Sequence, residues 1–122
     1  MTEYFDESVA YLEDEDFSGK KLNVKTGKPV IIILQGSFCG YCKQMKPAFQ
    51  SMAKKMKGKV VCATIQIDGN PSEKKLAAKI KDLMPVDYQG VPMVVAYKGG
   101  NFTKEYKGDR SEQSLLEFAN SL

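Results

Sequence analysis

Two thiols stand three positions apart in the segment Ser37-Phe-Cys39-Gly-Tyr-Cys42-Lys43. With two residues between them, Cys42 can fold back within one helical turn of Cys39, close enough to pair as a disulfide or to resolve a mixed one. Cys39 falls where a helix should begin. There, unpaired amide N–H groups and the positive end of the helix dipole favour a thiolate over a thiol. In such settings thiol pKa values drop from about 8.5 into a range of roughly 3.5–7.5. Cys39 is therefore the expected nucleophile near neutral pH and Cys42 the expected resolving thiol. Gly40 would supply backbone freedom at the tight start of the helix, and Tyr41 would set a large exposed ring beside the attacking sulfur.

Other uses of the pair have to be weighed. A C-x-x-C is also half of a zinc site, but a structural zinc needs four ligands. The chain has no histidine, and its third cysteine, Cys62, falls inside an apolar run. Two core cysteines at chance spacing are the other alternative, and the context of strand, C-x-x-C and helix weighs against it. The lack of histidine also excludes Ser-His and Cys-His triads and imidazole metal sites. Cysteine or carboxylate chemistry is what remains, and the C-x-x-C context favours dithiol exchange, which needs no metal or organic cofactor.

The elements that must hold this pair can be read from the pattern of apolar residues. Pro29 to Gln35 is a continuous β-branched run, as in a strand covered on both faces. Gly40 to Lys57 has helical period, with Met45, Phe49, Met52 and Met56 on one face, and Gly58 to end it. A second buried strand is predicted over Lys59 to Ile67. A helix capped by Asn70 or Ser72 then reaches Met84, and a hairpin follows over Met93 to Lys98 and Phe102 to Tyr106. Ser111 caps a last helix. Towards the N-terminus, Val9 to Leu12 reads as a short strand and Asp16 to Val24 as a helix with Phe17, Leu22 and Val24 inward. A helix over Tyr4 to Leu12 is the rival there. The sum is an α/β order with a mixed four- to five-stranded sheet and helices on both faces. Ligand chemistry in such sheets lies beyond the carboxyl ends of the central strands, where Cys39 falls.

With 122 residues and 13.6 kDa, the chain is expected to form a single domain over residues 1–122. Residues 1–16 hold seven acids and no base, so the remainder is strongly basic although the net charge is +3. That surplus is lysine at solvent-facing helical spacings, with one arginine, which argues against a nucleic-acid partner. No apolar run has the length of a membrane span, and the acidic start MTEYFDESV is unlike a secretory signal. No membrane association, a cytoplasmic location by default and a monomer are the expectations.

Four separated features resemble the thioredoxin-fold dithiol/disulfide oxidoreductases over nearly the whole length. Phe38-Cys39-Gly40-Tyr41-Cys42-Lys43 is similar to their active-site motif, and Pro47 to the proline that kinks the active-site helix. Gly90-Val91-Pro92 resembles the cis-proline loop, which lies against the dithiol and offers the backbone before the proline to an extended substrate. Tyr106-Lys-Gly108-Asp-Arg110 resembles a segment of the catalytic domains of protein disulfide isomerases, in which the arginine approaches the active site and tunes the second cysteine. The resemblance implies a thioredoxin-like fold, catalytic Cys39 and Cys42, supporting Gly40, Tyr41 and Arg110, and substrate binding at Val91 and Pro92. It further implies protein thiols and disulfides as substrates, and a separate reductant or oxidant to recycle the dithiol.

Departures from the pattern bear on which activity to expect. Ile33, six residues before Cys39, stands where family members carry a buried acid, and Thr64 replaces the lysine that accompanies that acid in thioredoxins. Gly-Tyr between the cysteines is neither the Gly-Pro of thioredoxins nor the Gly-His of isomerases, and its tyrosine resembles the Pro-Tyr of glutaredoxins. The stretch from Asp68 to Pro92 is longer than in thioredoxins, with the excess centred on Leu83 to Gln89. A thioredoxin-like or isomerase-like enzyme is expected. A glutathione-dependent enzyme and a non-catalytic binding module of the same fold are the alternatives.

Overall fold

Strand β4 (Val30–Gln35) runs through the middle of the sheet, with all six residues buried. It pairs in parallel with β5 (Val61–Gln66) and antiparallel with β6 (Met93–Lys98), which accounts for its unbroken β-branched run. Beyond β5 lies β1 (Ala10–Tyr11), and beyond β6 lies β7 (Asn101–Glu105). The order is therefore β1-β5-β4-β6-β7. This computed structural model describes residues 5–23 and 27–122.

Alternation along β4 divides the core. Ile31 and Ile33, with Val94 of β6, pack beneath α1 (Gly40–Lys55) and α4 (Glu112–Asn120) through Met45, Phe49, Met52 and Leu115. Val30, Ile32 and Leu34 face α2 (Pro71–Ala77) and α3 (Ile80–Leu83), meeting Leu76, Ile80 and Leu83. Each fully buried aliphatic side chain of this kind contributes about 1.5–3 kcal/mol relative to exposure, so both faces hold β4 in place. The expected mixed sheet with helices on both faces is what forms, and it fixes the end of β4 from which the two cysteines follow.

The predicted helix over Asp16 to Val24 is replaced by a hairpin. A single 3-10 turn at Asp14–Asp16 leads into β2 (Phe17–Ser18), which pairs antiparallel with β3 (Lys21–Leu22). Gly19, at φ +61, makes the turn that a helix could not contain. Tertiary contact overrides the local pattern here. Leu22 is buried, and Phe17 meets Tyr97 edge-on, with ring centroids 5.9 Å apart. Val24, the predicted last residue of that helix, lies outside the described residues. The rival helix fails as well. Its first residue, Tyr4, is likewise outside the described residues, and no helix forms over residues 5–12. Phe5 instead packs on Phe49 of α1, with centroids 5.6 Å apart.

The helix expected from residue 70 to Met84 is divided. Asn70 caps α2 by accepting from the Glu73 N–H at 2.8 Å, and Pro71 occupies its first turn. At Lys79 the backbone tightens, its N–H bonding to Leu76 O at 3.0 Å, before α3 resumes. The acidic turn has a structural use: Asp14 pairs with Lys79 at 2.6 Å and Lys75 at 3.5 Å, tying the N-terminal segment to α2.

Candidate active site

The chain leaves β4 at Gln35, turns through Gly36, Ser37 and Phe38, and enters α1 with Cys39 as its N-cap. The turn is held from outside. Asp68, following β5, accepts from the Ser37 N–H at 3.1 Å and from the Ser37 hydroxyl. Partial burial opposes ionisation of Asp68, but hydrogen bonds from Ser37 and Gln66 outweigh it and hold the carboxyl below its ordinary range.

Cys39 and Cys42 form a disulfide, with Cα atoms 5.2 Å apart. Cys42 has no exposed surface, whereas Cys39 keeps 8%. The Cys42 N–H points at the Cys39 sulfur from 3.1 Å, so that sulfur fills the place of a helix-capping oxygen. A negative charge on Cys39 would meet that N–H and the positive end of α1, the arrangement expected from the spacing alone. Cys39 is thus the less enclosed of the two.

Gly90, at φ +123, turns the chain into the Val91–Pro92 peptide, which is cis. The Val91 carbonyl oxygen lies 3.6 Å from the Cys39 sulfur. Val91 and Pro92 therefore border the accessible sulfur, although they lie more than fifty residues away in sequence. Around it Phe38 and Tyr41 are 68% and 59% exposed, an apolar rim on a surface otherwise rich in charge. The Arg110 guanidinium lies over the Tyr41 ring, 4.4 Å from its centroid. Arg110 is thus brought to the dithiol through Tyr41. A cleft of about 260 Å³ runs from Pro92 to Arg110 past Met45 and Tyr106.

Gly40 takes no left-handed conformation, and a Cβ there would meet nothing within 4 Å. The backbone freedom expected of it is not used in this state, and what it leaves is open space above Cys39. Cys62 is buried beside Met52, with 3.7 Å between their sulfurs, and its register partner on β4 is Ile31. That places it well down the sheet from the dithiol, as a core residue and not a third ligand, and burial pushes its thiol up to about 12. A cleft of about 690 Å³ opens beside Cys62 and Lys57, and neither Cys39 nor Cys42 lines it.

Two residues near the pair were not singled out by sequence reasoning. Asp68 marks only the start of a long connecting stretch in the sequence, although an acid just past a strand parallel to the motif strand is a usable signal. Gln35 read only as the end of β4, although an amide closing a run of five aliphatic residues is itself unusual.

A less enclosed cysteine at a helix N-terminus, a fully buried partner one turn on and a cis-proline loop beside them are the parts of a dithiol site in a thioredoxin fold. The Thioredoxin family profile matches residues 8–121, and the chain belongs to the thioredoxin family. Mouse mitochondrial thioredoxin is 29% identical over 109 residues, covering 88% of this chain and 58% of that protein. Thioredoxin from Rickettsia felis is 28% identical over 107 residues, covering 86% and 91%. A solved fragment of ERdj5, J-Trx1, superposes with a TM-score of 0.73 at 21% identity, over 95% of this chain and 52% of that one. The chain thus spans little more than half of the mouse relative and of the ERdj5 fragment. Among the described residues no helix is long and apolar enough to cross a membrane.

Proposed function

We propose that this chain exchanges disulfides with protein substrates, with Cys39 as nucleophile and Cys42 as resolving thiol. The observation that carries the reading is the geometry at Cys39: an N–H at 3.1 Å to stabilise its thiolate, and the Val91 carbonyl 3.6 Å away on its open side. The Cys39 thiolate attacks one sulfur of a substrate disulfide. The first substrate thiolate leaves and takes up a proton. Cys42 then loses its proton, attacks the Cys39 sulfur and forms the intramolecular disulfide, and the second substrate sulfur leaves as a thiol. Run backwards, the same steps oxidise a substrate dithiol. The Phe38 and Tyr41 rim and the Val91 peptide beside Cys39 suit an extended polypeptide better than a tripeptide thiol.

The isomerase-like form of this activity is favoured by Arg110. Its stacking on Tyr41 draws the Tyr106-x-Gly108-x-Arg110 segment to the dithiol, as the resemblance to isomerase domains implies. Direction is set by potential: thioredoxin lies near −270 mV and disulfide isomerase near −180 mV, about 4 kcal/mol apart for two electrons. With neither proline nor histidine between the cysteines, an intermediate value is expected. Equilibration in graded glutathione buffers, read by free thiols, measures it. A value at or above about −200 mV supports an oxidase or isomerase, and one near −270 mV a reductant. Replacing Cys42→Ser should trap protein partners on Cys39. An empty trap, together with turnover that saturates in glutathione, would replace the reading with a glutaredoxin-like one.

A further inference from the structure

Gln35 sits where the apolar interior of the sheet meets the dithiol. It is the last residue of β4, and it has no exposed surface. Among the described residues neither its Oε1 nor its Nε2 has a hydrogen-bond partner. An amide closed off from water and left unbonded is a cost that folded proteins ordinarily avoid.

Its surroundings follow from register. Ile31 and Ile33 pack beneath α1 while Val30, Ile32 and Leu34 take the other face, so alternation turns Gln35 toward α1. The part of α1 nearest that end of β4 is its first turn, where Cys42 is equally enclosed. Ile33 pairs with Val94 and Leu34 with Met93, so one further step of the ladder sets Gln35 across from Pro92. The other polar groups on this face are engaged: the Thr64 hydroxyl donates to Ile33 O at 2.8 Å, and Gln66 Nε2 donates to Asp68 at 3.3 Å. Ile33 offers nothing polar. Gln35 is thus an unpaired amide on the α1-facing side of β4, at the end of the strand from which the two cysteines follow.

We propose that Gln35 is a positioning residue for the resolving thiol: its Nε2 donates to the Cys42 sulfur, directly or through one water, once the Cys39–Cys42 bond opens. This rests on the dithiol-exchange reading above. A sulfur within a disulfide is a weak acceptor, so the amide is left unpaired in that state. A Cys42 thiolate is a strong acceptor, and a charge-assisted hydrogen bond to it is formed only in the open state. Gln35 thereby favours the dithiol over the disulfide and aims Cys42 for its return. In that return the Cys42 sulfur gives its electron pair to Cys39, the bond from Cys39 to the substrate sulfur breaks, and the departing substrate thiolate takes the proton that Cys42 released. Gln35 itself neither gains nor loses a proton.

Gln35→Met keeps length and apolar bulk and removes the amide. Its equilibrium with glutathione should shift about tenfold toward the disulfide, a potential about 30 mV more negative. Resolution of the mixed disulfide should slow by about threefold at neutral pH, the tenfold loss of Cys42 thiolate being partly offset by its greater nucleophilicity, while the first attack by Cys39 keeps its rate. A variant equal to wild type in both readouts overturns the proposal. Should Gln35→Met not fold, hydrogen exchange of the Gln35 side-chain amide in the wild-type protein decides the matter. Slower exchange in the dithiol form supports the hydrogen bond, and equal rates in the two forms overturn it. A wild-type protein that exchanges no disulfide at all overturns the underlying reading too, an outcome distinct from a competent wild type with an indifferent variant.

Discussion

The Arg110 guanidinium lies over Tyr41, 4.4 Å from the ring centroid, so a residue just before the last helix is carried to a residue between the two cysteines. Among the described residues no acid pairs with Arg110, and the ring holds its positive charge over the Cys39–Cys42 motif. An exposed pair of this kind is worth about 0.5–1 kcal/mol. Arg110→Met should therefore raise the midpoint of the pH profile for alkylation of Cys39 and slow alkylation about two- to fivefold below it. Tyr41→Leu should do the same by freeing the arginine. An unchanged profile in both variants would mean that the stacking is only packing.

Asp68 braces the turn that delivers Cys39, through the Ser37 N–H and hydroxyl. Asp68→Ala should lower stability by about 1 kcal/mol and slow disulfide exchange, because the turn loses its external anchor. Asp68→Asn keeps one acceptor and should fall between the two. Urea unfolding together with an insulin-reduction assay would read both effects, and unchanged exchange in Asp68→Ala would contradict the bracing role.

Tyr97 is fully buried between Phe17 and Phe102, and its hydroxyl has no hydrogen-bond partner among the described residues. Removing an unpaired buried hydroxyl while keeping the ring is expected to stabilise. Tyr97→Phe should gain about 1 kcal/mol in urea unfolding. A loss of stability would show that the hydroxyl is bonded in solution.

Burial pushes the Tyr97 phenol from 10.0 and the Cys62 thiol from 9.0, each up to about 12. Both groups are held neutral by the fold. Their contribution is complete below the ordinary values and is lost as pH climbs toward about 12. Alkaline unfolding should therefore set in between pH 9 and 12, and Tyr97→Phe should flatten its dependence above pH 10, as followed by circular dichroism.

At the acid end, hydrogen bonds from the Ser8 hydroxyl and backbone N–H hold Asp6 well below its ordinary 3.8, at about 2, against a small opposing effect of burial and with help from Lys54. The Asp6 backbone N–H also donates to Gln50 Oε1 on α1 at 3.1 Å. A lowered value contributes stability that is present above pH 4 and lost as pH falls toward 2. Asp6→Asn should remove that dependence, and hydrogen exchange at residues 5–9 between pH 4 and 2 would detect it.

Much of this protein is written locally in its chain. The β-branched run of β4, the helical period of α1, the Ser111 cap and the Cys39–Cys42 spacing each carry their meaning within a few residues, because side-chain period and capping are short-range effects. Burial and pairing across the fold decided the rest. Phe17 and Leu22 are apolar at a spacing that also suits a helix, and only the contact with Tyr97 and the turn at Gly19 make them a hairpin. Sequence already singles out Cys39 as the attacking thiol, from its place at the start of a helix. It is the tertiary arrangement that leaves one sulfur open beside Val91, closes the other, stacks Arg110 on Tyr41 and turns the Gln35 amide in under α1, because each of these depends on residues distant in the chain meeting at the end of one strand.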